Sequence, residues 1–268
     1  MTKTDPISLD ADTPLLREDV DGICTLTLNR PDQYNALCEA LLTELQDAFD
    51  AIAADDKVRV VVLAARGKAF CAGHDLKEMR ANPRRDYYEW LFAKCSRVMV
   101  SMVRLPQPIV ARVHGVATAA GCQLVANADL AVASSEAGFG TSGINVGLFC
   151  MTPGVALSRN LGRKRAFEML FTGDIISPEQ GLDFGLVNRV VSPEALDAAL
   201  AALTRSISGK SRAAVVAGKR VFYRQLEMGI EAAYAYAGED MARNMMFHDA
   251  CEGIDAFIAK RKPVWEDR

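Results

Sequence analysis

Two stretches of this sequence, AFCAGHDL at residues 69–76 and TAAGCQL at residues 118–124, place small residues just before a helix-like run. Small residues let another group approach the backbone closely, and the unpaired N–H groups of a first helical turn attract developing negative charge. Two such N–H groups aimed at one point form an oxyanion hole, the device that stabilises an enolate or a tetrahedral oxyanion. Spacing alone leaves a plainer alternative, that both stretches are tight strand-to-helix turns.

The side chains around these turns supply little proton chemistry. Gln123 can orient water but cannot take its proton at neutral pH. His74 has the pKa range of a base, although its ring need not point where its N–H points. Asp75 stands where a carboxylate caps a helix and complements its dipole. His114, in VHGVA, suits a hydrogen bond within a turn, and Asp129, ahead of LAVA, suits a backbone cap. Cys71, Cys122 and Cys150 fit inert packing groups better than nucleophiles. Ser135 and Ser142 lack an identifiable histidine partner, which disfavours a Ser-His-Asp peptidase.

The elements that must hold these residues follow from periodicity. LLREDVDGICTLTLNR reads as a hairpin turning at Asp21-Gly22. Leu41, Leu42, Leu45, Phe49 and Ile52 form one helical stripe, and VRVVVLAA after it reads as a buried strand. Leu91, Cys95, Val98 and Met102 mark a second helix, stopped before Pro106 and Pro108. IVARV and DLAVAS are further buried strands, each leading through a glycine-rich turn to a helical pattern, the second of these being VALSRNLGRKRAFEML. This alternation predicts an α/β fold with ligand groups in the loops after the strands. RVVS is the last strand expected, and from Pro193 to Lys262 only helical periodicity remains. The reading is a core over residues 1–205 and a helical part over 206–268 whose apolar faces need a partner surface. No low-complexity tract or sequence repeat interrupts it.

A chain of 268 residues, half of them hydrophobic, is long enough for one large core. Its net charge of -3 offers no general basic surface for nucleic acid or anionic lipid. No run of apolar residues suggests a membrane span. Seven cysteines, an odd number without C-x-x-C spacing, and an amino-terminal MTKTDPISLDADTPLL without a signal-like pattern predict a cytoplasmic protein.

The segments LNRPDQYNAL, KAFCAGHDLKEM, VHGVATAAGCQLVANADLAVAS, FGTSGINVGL, EMLFTGDIISPEQGLDFGLVNRVV and EGIDAFIAKRKPVW together resemble, in order and over nearly the whole chain, the enoyl-CoA hydratase/isomerase (crotonase) superfamily. The resemblance implies a spiral of ββα units with a C-terminal helical trimerisation region, self-associated as a trimer or hexamer. It implies an acyl-CoA thioester as ligand, with CoA part of the substrate and no prosthetic group or metal. It places the two oxyanion donors at the backbone N–H groups of His74 and Ala120. The family often has glycine where Ala119 and Ala120 stand. CoA contacts are implied for Arg30, Ala72, His74, Asp75, Leu76, Lys77, Ala120, and for Phe257 and Lys260 reaching from a neighbouring subunit. The plain alternatives for Lys77 and Arg80 are solvated helix charges, and for Phe257 and Lys260 core packing and a surface charge.

Family hydratases carry one glutamate at the position of Gln123 and another at that of Gly143. Here the first is a neutral amide and the second has no side chain. Asp75 is the substitute carboxylate, and Ser142 and Asn145, which flank position 143, suit a substrate hydroxyl or water. Two readings follow: an acyl-CoA enzyme that relies on its oxyanion hole, by decarboxylation, isomerisation or slow thioester hydrolysis, and a catalytically silent acyl-CoA-binding protein.

Overall fold

A computed structural model describes residues 13–268; residues 1–12 of the amino-terminal stretch read above lie outside it. Strands β1 (Leu15–Val20) and β2 (Ile23–Leu28) form the expected hairpin, with Asp21 at φ 50° and Gly22 at φ 79°, the left-handed pair that such a two-residue turn demands. Helix α1 (Glu39–Ala53) buries Leu41, Leu42, Leu45, Phe49 and Ile52, the same five residues that its periodicity singles out. Strands β3 (Val60–Ala65) and β4 (Ala69–Cys71) lead to α2 (Leu76–Ala81) and α3 (Arg85–Arg104). Then come β5 (Ile109–Val113), β6 (Val116–Thr118) and α4 (Ala120–Asn127), followed by β7 (Leu130–Ser134) and β8 (Gly138–Gly140).

These strands divide between two sheets. The larger has the order β1-β2-β3-β5-β7 and ends with β9 (Arg189–Val191), and every pairing after the hairpin is parallel. The smaller has the order β4-β6-β8, also parallel. Each successive unit therefore gives one long strand to the first sheet and one three-residue strand to the second, then turns into a helix or helical turn. The ββα repeat is one of structure without a repeat of sequence.

Between β8 and β9 lie a 3-10 turn (Ser142–Val146), α5 (Met151–Asn160), α6 (Arg163–Thr172) and α7 (Pro178–Phe184). VALSRNLGRKRAFEML reads as one helical run, but the chain breaks at Leu161-Gly162 because Leu161 is extended. Helices α8 (Leu196–Ser208), α9 (Arg212–Gln225), α10 (Ile230–Met245) and α11 (His248–Ile258) complete the chain. Helix α8 closes one face of the large sheet, with Leu196, Leu200, Leu203 and Ile207 against Val60, Val110 and Val132. Helices α1, α3 and α4 pack in the main core on β2, β3 and β5.

Two polar arrangements fasten the later helices. Asp129, just before β7, accepts from Ile109 N–H at 2.7 Å, from Lys219 Nζ of α9 at 2.6 Å and from the Tyr223 hydroxyl at 2.8 Å. Near residue 268, Trp265 Nε1 donates to the Gly209 carbonyl that ends α8, and Asp267 accepts from the Arg212 N–H that opens α9. The buried Asp249 carboxylate, in the first turn of α11, accepts from the N–H groups of Glu266 and Asp267, while its own N–H donates to the Arg268 carbonyl.

Candidate active site

The carboxyl ends of the three short strands meet at one edge. After β4, residues 72–75 run beside residues 34–37: Ala72 N–H donates to Tyr34 O, Leu37 N–H to Gly73 O at 2.8 Å, and Asp75 N–H to Leu37 O at 3.1 Å. Because Leu37 takes the groups on either side of His74, the His74 N–H faces away from residues 34–37. After β6, Ala119 adopts φ 51° and ψ -121° and donates its N–H to Gly140 O at the end of β8. Ala120 then opens α4, where the first-turn N–H has no helical partner.

Glycines bring these two turns into contact. A Cβ on Gly121 would collide with the Cys71 carbonyl, and one on Gly73, which sits at φ 94°, would lie 3.3 Å from the Ala120 nitrogen and 2.8 Å from the Ala119 Cβ. The peptides of His74 and Ala120 thus sit on two abutting turns. Thr118, at the end of β6, shares a 2.7 Å hydrogen bond with Ser142.

The side chains present a nearly uncharged surround. The His74 imidazole packs edge-on to Phe92 at 5.5 Å, and neither ring nitrogen has a hydrogen-bond partner. Burial pulls its pKa down to about 4, so the ring is neutral at pH 7. Gln123 lies one turn beyond Ala120 on α4; it is 4% exposed, and its Oε1 is buried without a partner. Gly143 has no room for a side chain, since a Cβ there would lie 2.6 Å from Leu148 O and 2.8 Å from Cys150 Sγ.

Asp75 is committed elsewhere. One carboxylate oxygen accepts from Lys77 N–H at 3.1 Å and Glu78 N–H at 3.3 Å, capping α2, and the other takes Arg30 Nη2 at 3.0 Å. Its pKa is lowered, the Arg30 hydrogen bond and the capped amides outweighing the opposing desolvation. Arg30 also donates to Ala36 O, which ties it to the loop. His114 Nε2 donates to Gly67 O at 2.8 Å, the turn bond expected for it. Burial pushes the Cys71 and Cys122 thiols up to about 12 and raises that of Cys150, which keeps all three protonated.

Ala72, Leu76, Lys77 and Arg80 stand exposed along the α2 side of this edge. Phe257, 84% exposed, and Lys260 lie at the end of α11, whose neighbours are α9 and α10, so within one chain they are not gathered with the other candidates. Sequence reasoning passed over Asn35. Wholly buried at φ 54°, it accepts from Arg30 N–H and donates to the carbonyls of Arg66 and Ala69 at 2.8 and 2.9 Å, fixing the segment that holds residues 72–75. The available signal was an asparagine, a residue that tolerates the left-handed region, beside a Pro-initiated turn.

The family model described as Enoyl-CoA hydratase/isomerase matches residues 18–268. The chain belongs to that family. Among proteins similar to this family member, the mouse Enoyl-CoA hydratase domain-containing protein 3, mitochondrial, is 46% identical over 91% of this chain and 82% of its own length. The human protein of the same name is 44% identical over 94% and 83%. A crystal structure of a Mycobacterium smegmatis enoyl-CoA hydratase matches with TM-score 0.93 at 62% identity, over 94% of this chain and 98% of that one. The crystal structure of the human domain-containing protein 3 matches with TM-score 0.92 over 94% and 100%. These likenesses bear out the crotonase fold. The mitochondrial names of five vertebrate relatives, at 42–46% identity, correct the expected cytoplasmic location. The cysteine argument distinguishes reducing from oxidising compartments only, and one reducing compartment looks like another to a thiol.

Proposed function

We propose that this enoyl-CoA hydratase/isomerase family member binds an acyl-CoA thioester and stabilises an enolate or oxyanion with the N–H groups of His74 and Ala120. The observation that carries the reading is the contact between the turns after β4 and β6, which puts two donor-bearing peptides side by side at the end of one sheet. Proton transfer is the weak part. Gln123 is an amide, Gly143 leaves no space for a carboxylate, Asp75 is engaged by Arg30 and the α2 amides, and His74 is a poor base at a pKa of about 4. The reaction therefore draws on charge stabilisation: decarboxylation, in which departing CO2 leaves its electron pair to the enolate and no base is needed, isomerisation with a base supplied by the substrate, or slow thioester hydrolysis by water. Helices α9–α11, with Phe257 and Lys260, form the association region of a trimer or a pair of trimers.

The same uncharged surround supports the second reading, an acyl-CoA-binding protein without turnover. Calorimetry with butyryl-CoA and butyrate, beside turnover on an acyl-CoA panel, separates these. The thioester is expected to bind more tightly than the acid, and crotonyl-CoA hydration is expected to be slow. Equal, weak binding of thioester and acid removes the CoA assignment, and tight binding without turnover of any thioester selects the second reading.

A further inference from the structure

Three buried polar atoms that meet no hydrogen-bond partner among the described residues belong to side chains lining one small cavity. They are Nε of Arg59, just before β3, Oε1 of Gln107, just before β5, and Nε of Arg212, the first residue of α9. None of these residues is part of the candidate active site. Gln107 is 1% exposed, and its orientation is fixed because Nε2 donates to the carbonyls of Ile52 at 2.8 Å and Asp55 at 3.2 Å, which leaves Oε1 as a free acceptor. The guanidinium groups are held by their terminal nitrogens, Arg59 by Asp267 and the Lys210 carbonyl, Arg212 by Asp56, so each Nε–H is a free donor. A buried donor or acceptor left unpaired is unfavourable, and one shared partner relieves all three.

Two donors and one acceptor define the complement, a ligand that accepts twice and donates at least once. A halide accepts but has nothing to donate to Oε1, and the guanidinium charges are already matched by Asp267 and Asp56. A cation meets two N–H groups of the wrong polarity. Size narrows the choice further. About 10 Å³ of the cavity is open to the centre of a water molecule, room for one water and too little for an alcohol or an oxyanion. We infer that this cavity is a binding site for a single water molecule, which accepts from Arg59 Nε and Arg212 Nε and donates to Gln107 Oε1. A water held in this way makes three hydrogen bonds, the usual number for a buried one. It ties the residues that lead into β3 and β5 to the first turn of α9, so that the helical part of the chain is joined to the large sheet through a bound solvent molecule.

The test uses crystals of the full chain grown without halide and then soaked in bromide, beside oxygen-17 relaxation dispersion of the protein in solution. Both are repeated with Val216→Ile and Val215→Ile, which add a methyl group at the cavity wall. In the parent, an oxygen-sized peak within hydrogen-bond distance of all three atoms is expected, with no anomalous signal from bromide. A variant whose new methyl group fills the cavity is expected to lose that peak, to lose one long-lived water in solution, and to melt about 3–6 °C lower because three polar groups are left without a partner. Two variants are made so that one serves if the other fails to fold. Absence of the peak from the parent overturns the inference. A bromide ion in its place does so as well, since it marks an anion site, and so does a filled variant that melts higher than the parent, the sign of a cavity that was dry.

Discussion

Ala119 has a methyl group in a backbone conformation that glycine adopts far more readily, and it stands directly before a proposed oxyanion donor. Ala119→Gly should therefore stabilise the fold, by roughly 1 kcal/mol after the entropy that glycine adds to the unfolded chain. A higher urea midpoint with unchanged slope is the expected outcome, and a lower midpoint would show that the Ala119 methyl packing against Gly73 outweighs the strain. His74 gives a pH signature. Its folded pKa of about 4 lies below the ordinary 6.5, so below pH 6.5 the unfolded chain takes up a proton that the fold refuses. Stability from this group is complete above about pH 6.5 and declines as the pH falls to about 4, by on the order of 3 kcal/mol. Urea titrations at pH 7 and pH 5 should show about 2 kcal/mol of that loss in the parent and a smaller one in His74→Gln. At position 143 the obstacle to a restored carboxylate is space, because Gly143 is not among the glycines with positive φ. Gln123→Glu alone should raise crotonyl-CoA hydration, whereas adding Gly143→Glu should lower the melting temperature and bring no further rate, since the Leu148 carbonyl must move.

Among the elements, the loop at residues 34–37 is the one on which the His74 peptide depends. Asn35→Ala removes three hydrogen bonds, one of them buried and two part-buried, at a cost of about 2–4 kcal/mol. Chemical denaturation should register that cost, and calorimetry should show weakened acyl-CoA binding; a stable variant with normal affinity would remove Asn35 from the support of the site. The long elements were legible in the sequence for physical reasons. The Leu41-to-Ile52 stripe of α1, the Leu91-to-Met102 face of α3 and the Asp21-Gly22 turn each express a period or a backbone requirement. Strands β4, β6 and β8 were not legible. Three residues carry no period, and GFG at β8 contains two glycines, so these segments read as turns although their ends build the candidate site. The pairing of the two donor turns rested on family resemblance; the colliding Cβ positions at Gly73 and Gly121 supply its physical cause only in three dimensions.

For the molecule as a whole, the exposed side chains along α10 and α11 argue for self-association. Ile230, Tyr234, Met246 and Phe257 are 71–84% exposed, and covering them against a second copy would remove apolar surface from water. Light scattering should give about three or six times the chain mass of 29.1 kDa, and Tyr234→Asp should shift the population toward smaller species. A monomer at all concentrations would rule out the association region proposed above. The segment from Trp265 to Arg268 acts on a different property, cooperativity. It joins the end of α8, the start of α9 and the first turn of α11, so none of these ends can fray without releasing the other two. The three helices therefore open as one unit, and their terminal amides, which in separate helices would exchange with solvent at unrelated rates, share a single protection factor.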